Sequence, residues 1–200
     1  PCSFTGAEFD DLKRDCATGP VILSRNNYSG PADYPHQMWL PATWTEDGAT
    51  VYGLVHDEFH AGAGAQHPLV PASLCKDGDP NACWFSSLIS VISVDGGRSF
   101  QRMTSPSRPN AVVVAGPVRD RPDAGVQGAP AHRHIVEKDG FWYTMPGCAF
   151  VSIVQPGTHA GKCVYRSDNI SDPGSWKGWD GNAFSVPVFD PYAHPILSNS

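Results

Sequence analysis

"MWLPATWTEDGATVYGLVHDEF", residues 38–59, reads as strand, turn, strand. Its flanks are rich in aromatic and β-branched residues, which suit a pleated, half-buried surface. Asp47-Gly48 between them is a hairpin signal. The pattern returns in "WFSSLISVISVDGGRSFQRM" (84–103), with its turn at Asp95-Gly96-Gly97. A long loop carrying Cys75 and Cys83 joins these two hairpins. A second copy then follows in the same order. "AHRHIVEKDGFWYTM" (131–145) turns at Asp139-Gly140, and "GKCVYRSDNISDPGSWKGW" (161–179) turns at Asp172-Pro173-Gly174. Each copy is two hairpins in series, hence four antiparallel strands, the content of one β-propeller blade.

Composition agrees with an all-β chain. Gly 20 and Pro 19 in 200 residues favour turns over long helices, and six Trp, six Tyr and nine Phe add strand formers. One stretch, "GAEFDDLKRDC" (6–16), predicts a turn or two of helix. The net charge is −6 with no Lys/Arg cluster, which argues against nucleic acid and against anionic lipid as partners. No apolar run approaches the ~20 residues of a membrane span. The chain opens at "PCSF" rather than Met, which reads as a mature or trimmed chain.

Six cysteines without a CxxC favour disulfides, and so an oxidising, extracellular setting, over a zinc knuckle. Many pairings are open to six cysteines. The sequential one, Cys2–Cys16, Cys75–Cys83 and Cys148–Cys163, keeps each pair within one local segment. Asn27 and Asn169 begin Asn-x-Ser acceptor sequons for N-glycans.

The expected organisation is an N-terminal disulfide-containing segment (1–33), a first blade (34–105), a linker loop (106–130), a second blade (131–180) and a C-terminal segment (181–200) that begins a further blade. Two blades do not close a propeller, which needs roughly 4–8. An open wedge exposes strand edges and an apolar flank. The chain therefore reads as part of an incomplete propeller, as one with extra strands in its ends, or as one that self-associates.

"SVDGGRSF" (93–100) resembles the Asp-box of sialidase-type propellers, S-x-D-x-G-x-[ST]-[WF], at every specified position. "RSDNISDPGSW" is similar to a strand-turn-strand of five-bladed glycosidases in which "S-D…P-W" recurs. "IVEKDGFWYTM" resembles the "I-V-x-x-D-G-x-Y-Y" hairpins of the same enzymes. The likeness covers residues 34–180. It implies that Asp95 ties down a turn and that Phe100 packs between blades, away from the active centre. It also implies a carbohydrate-active, glycosidase-like propeller that hydrolyses a polysaccharide by carboxylate acid/base chemistry. No arginine triad of the sialidase kind can be assigned.

In such a fold the first strand of each blade lines the central channel. Asp33, His36, His132, Arg133 and His134 are the channel-side candidates, and an Arg or His there suits a sugar carboxylate or hydroxyl. Trp39 is the best sugar-stacking platform, and Trp176 and Phe100 are expected between blades. At the exit of the next strand, His56, Glu58 and His60 share one face and Asp57 takes the other. Glycoside hydrolysis usually needs two carboxyl groups flanking the bond, so Asp57 and Glu58 cannot be partners. The catalytic candidates are Asp33, Glu58 and Asp168, the last also readable as a turn residue like Asp95. Substrate-contact candidates are His36, Trp39, His56, Arg133, His134 and Arg166.

No cofactor is called for. A divalent metal held by His56, Glu58 and His60 is the alternative use of that face. Two other functions stay open. One is a non-catalytic module that binds glycan or assembles into a surface or filament layer. The other is a polysaccharide lyase using His134, Tyr143 and Arg133.

Overall fold

Strands and turns account for the regular structure of the described residues; the helical elements among them are three-residue 3-10 turns. The computed structural model describes residues 3–6, 8–17, 19–22, 36–60, 71–104, 123, 125–129, 134–151 and 158–188. Two larger sheets form, one of seven strands and one of five, neither of them closed.

The first sheet grows from the 38–59 hairpin. β3 (Gln37–Trp44) and β4 (Val51–His60) run antiparallel, with Trp44 opposite Tyr52. Asp47 sets their turn: its carboxylate accepts from the N–H groups of Ala49 and Thr50 at 2.9 and 2.8 Å. β3 is an edge strand with an irregularity between Trp39 and Ala42, the kind of place where Pro41 is tolerated. β5 (Trp84–Ser93) pairs with β4 along its whole length, and β6 (Gln101–Arg102) returns on β5. The loop between β4 and β5 is closed by Cys75–Cys83, with Cα atoms 5.1 Å apart.

The second sheet comes from residues 136–187. β8 (Val136–Lys138) and β9 (Phe141–Thr144) form a hairpin on Asp139-Gly140, both at positive φ (55° and 76°), as a type I′ turn demands. β12 (Tyr165–Ser167), β13 (Lys177–Trp179) and β14 (Phe184–Pro187) complete it in the order β14-β13-β12-β9-β8. β14 lies in the stretch expected to begin a further blade. It adds instead as an outer strand, after a turn in which Asp180 accepts from Asn182 and Ala183 N–H, each at 2.8 Å.

Between β9 and β12 the chain makes an excursion that the sequence pattern does not announce. β10 (Gly147–Val151) and β11 (Thr158–Lys162) form a hairpin that leaves the second sheet and joins the first. Cys148–Cys163 fastens it where it departs. The link is β7 (Gln127–Gly128), inside the expected linker, which runs parallel to β5 and antiparallel to β10. Gly128 is required there. Its φ is +100°, and a Cβ would lie 1.9 Å from the Ser86 carbonyl oxygen. Next to it, Ala129 N–H donates to that oxygen at 2.8 Å.

The N-terminal stretch corrects the helix expectation. β1 (Ser3–Thr5) and β2 (Lys13–Asp15) pair antiparallel around a 3-10 turn at Phe9–Asp11. A segment this short does not recover the cost of helix nucleation, whereas strand pairing gives each half a backbone partner. Cys16 is disulfide-bonded; Cys2 lies outside the described residues.

Cores lie on both faces of the first sheet. Val55, Phe59, Phe85, Ile89 and Val91 point one way, toward Ile22, Cys75–Cys83 and Phe100. Leu54 and Leu88 point the other way, into a cluster with Ile135, Tyr165, Ile170 and Trp176 that joins the two sheets. Burial of each large side chain stabilises by about 1.5–3 kcal/mol.

Candidate functional site

The exit of β4 carries the candidate cluster. Strand alternation puts His56, Glu58 and His60 on the face that, further along, packs on the second sheet through Leu54. Glu58 stands between the imidazoles: His56 Nδ1 is 3.5 Å from one carboxylate oxygen and His60 Nε2 is 3.4 Å from the other. Its side chain keeps 15% exposure, so it is shielded yet reachable. Trp84 lies across from His60 and stacks on it, with ring centroids 4.9 Å apart and planes 19° from parallel. On the other side Trp39 stands opposite His56 and is 58% exposed. Ser86, opposite Glu58, is fully buried, and its hydroxyl has no hydrogen-bond partner among the described residues. A carboxylate, two imidazoles and two indoles thus share one sheet face. Indoles offer flat apolar surface to a sugar ring, and the ionisable groups offer hydrogen bonds to hydroxyls.

The same three side chains are those of the metal alternative. The two imidazoles approach different oxygens of Glu58, and among the described residues no group of three or more His, Cys, Asp or Glu side chains is placed to hold a metal ion.

Asp57, on the opposite face, has a different task. It accepts from the His36 backbone N–H at 2.9 Å and faces His36 Nδ1 at 2.8 Å. The pair is 0% and 1% exposed, with the Phe59 ring 4.9 Å from the imidazole. His36, expected to touch sugar, is instead locked inside, where it fixes the chain's entry into β3.

The remaining candidates scatter. Asp33, His132 and Arg133 lie outside the described residues. Asp168 is exposed in the bend after β12, on the other sheet from Glu58. Arg166 holds its guanidinium 4.3 Å from the Phe141 ring centre and 4.4 Å from that of Phe184. His134 lines a cleft on the second sheet. Asn169 is exposed, with its side-chain oxygen accepting from both Ser171 N–H (3.1 Å) and Ser171 Oγ (2.6 Å); Asn27 lies outside the described residues.

Asp95 organises its turn. It accepts from Ser93 Oγ and Ser99 Oγ, each at 2.6 Å, and from Ser99 N–H at 2.9 Å. These bonds hold its carboxyl far below the usual range. Phe100 packs against the cluster around Val55 and Phe85, away from Glu58.

Trp84 and Ser86 were not legible as site residues. Their register against β4 is set across a loop of more than twenty residues, and no local signal fixes it. The chain matches no protein-family model and no curated protein.

Proposed function

We propose that the chain is an extracellular, carbohydrate-active domain of the β-propeller type that hydrolyses a polysaccharide, with Glu58 as an acid/base carboxyl. Three features support the propeller reading: the antiparallel meanders β3-β4-β5-β6 and β8-β9-β12-β13, their packing through Leu54, Leu88, Tyr165 and Trp176, and the Asp95 turn. The disulfides favour an oxidising compartment, and no helix among the described residues is long and apolar enough to cross a membrane.

The observation that carries the functional reading is Glu58 itself, held between two imidazoles beside exposed Trp39 and stacked Trp84. The indoles stack on sugar rings and Glu58 exchanges the proton at the glycosidic oxygen. Hydrolysis needs a second carboxyl about 5–9.5 Å away. Asp57 is committed to His36, and Asp168 belongs to the other sheet, so Asp33, outside the described residues, is the second acid of this reading. The commitment of Asp57 to His36 and the place of Asp168 after β12 favour a second reading, a glycan-binding module without catalysis.

A polysaccharide panel read by reducing ends separates them. On an accepted substrate, Glu58→Gln lowers turnover by about 10²-fold or more while binding persists, and Trp39→Ala weakens binding. Binding without new reducing ends supports the second reading. Neither binding nor hydrolysis across the panel rejects both.

A further inference from the structure

We propose that the outer face of the five-stranded sheet binds an acidic oligosaccharide, at a site separate from Glu58 and independent of whether the chain hydrolyses anything. Side chains directly across an antiparallel pair share a face. Arg166 is opposite Tyr143 on one side and Lys177 on the other, and Lys138 is opposite Phe141. Lys138, Tyr143, Arg166 and Lys177 therefore project together, away from Trp142 and Tyr165, which pack toward the first sheet.

A cleft of about 700 Å3 opens on this face, lined by His134, Lys138, Tyr143 and Lys162 over apolar Val136 and Met145. That volume lies within the roughly 300–1,000 Å3 of small-ligand sites. Asp139 is the acid in its lining. Among the described residues Lys138, Lys162 and Lys177 have no ion pair. The chain has 14 Lys and Arg in all and a net charge of −6, yet Lys138, Arg166 and Lys177 gather on one sheet face, and Lys162, at the end of β11, lines the same cleft as Lys138.

Like charges set across from each other, as Arg166 and Lys177 are, cost stability. Contact with the Phe141 and Phe184 rings holds the Arg166 charge in place, and a bound anion relieves the repulsion. The aromatic surface extends to Trp179, 47% exposed and 5.0 Å from the Phe184 ring. Unpaired cations beside a half-exposed indole match a ligand that is both sugar and anion. A neutral glycan would leave the lysines unused, and a small inorganic anion would leave the indole and the apolar floor unused.

The test titrates the full chain at low salt with trigalacturonate, a heparin tetrasaccharide and neutral maltotriose. Saturable binding is expected for an acidic probe, with maltotriose weaker by roughly ten-fold or more; which acidic probe binds tells carboxylate from sulfate recognition. Lys138→Ala with Lys162→Ala is expected to weaken that binding roughly ten-fold or more, and Glu58→Gln to leave it unchanged. Lys→Gln replacements at the same exposed positions carry the test if the alanine variant misfolds. The proposal is overturned if neither acidic probe binds, if maltotriose binds equally well, or if the lysine variants bind as the wild type does.

Discussion

The two sheets solve the burial problem differently. The central strands of the first are covered on both faces: β4 and β5 carry Val55, Phe59, Phe85 and Ile89 into one core and Leu54 and Leu88 into the other. The second sheet buries Tyr165 and Trp176 on its inner side, with Trp142 half-buried against them, and presents Lys138, Arg166 and Lys177 on its outer face. A central strand covered on both sides is buried without a break, as β5 is from Phe85 to Val91, whereas a strand of the second sheet alternates, as β12 does with Tyr165 and Ser167 buried and Arg166 half-buried between them. The polar residues differ accordingly. Asp57, buried in the first sheet, is held on His36, while Lys138 and Lys177 on the outer face of the second are exposed.

The largest effect that separates the two faces comes from tryptophan. Trp176 is 1% exposed in the core between the sheets, and Trp176→Ala is expected to cost about 3–5 kcal/mol. Trp179→Ala, on the half-exposed outer face, is expected to stay within about 1 kcal/mol. Urea denaturation of the two variants measures the gap, and equal losses would mean that the outer face is buried in solution.

The buried pair follows. His36→Ala leaves the Asp57 carboxylate inside without its imidazole, a loss of about 3 kcal/mol, while Glu58→Gln on the opposite face of the same strand is expected to change stability by less than about 1 kcal/mol. If the ranking came out reversed, Glu58 would be the structural carboxylate and Asp57 the one free for chemistry.

Local chemistry was legible in the sequence and long-range pairing was not. Asp47-Gly48 and Asp139-Gly140 announced their turns because those backbone shapes need residues that tolerate positive φ. The parity of His56, Asp57, Glu58 and His60 followed from the strand period alone. What His36 does was hidden, because its partner lies twenty-one residues away and a histidine at a strand entry looks the same whether it faces sugar or a buried carboxylate. The β10–β11 hairpin was hidden too. "GCAFV" and "THAGK" carry weak strand propensity, and what holds them is pairing through two-residue β7 together with the Cys148–Cys163 bond. The basic face escaped notice because Lys138, Arg166 and Lys177 are spread over forty residues, and they gather only once the order β13-β12-β9-β8 is known.

The turns give the finest comparison between the sheets and the smallest expected effect. Asp95 closes a turn of the first sheet and Asp180 one of the second. Both carboxyls are depressed from 3.8 by the hydrogen bonds they accept, Asp180 to about 2 through Ser185 Oγ and the Ala183 and Asn182 N–H groups, and Asp95 further still through Ser93 and Ser99. A carboxyl whose folded value lies below its unfolded one stabilises the fold above the unfolded value and loses that contribution as pH falls through the folded one. The stability gap between wild type and Asp180→Asn, read from urea midpoints, is therefore expected to be constant above about pH 5 and to close between about pH 4 and 2. For Asp95→Asn the closing should extend to lower pH. A gap that stayed constant down to pH 2 in both variants would mean that the turns depend on the shape of the side chain and not on its charge. The two sheets would then be stapled by the same neutral device.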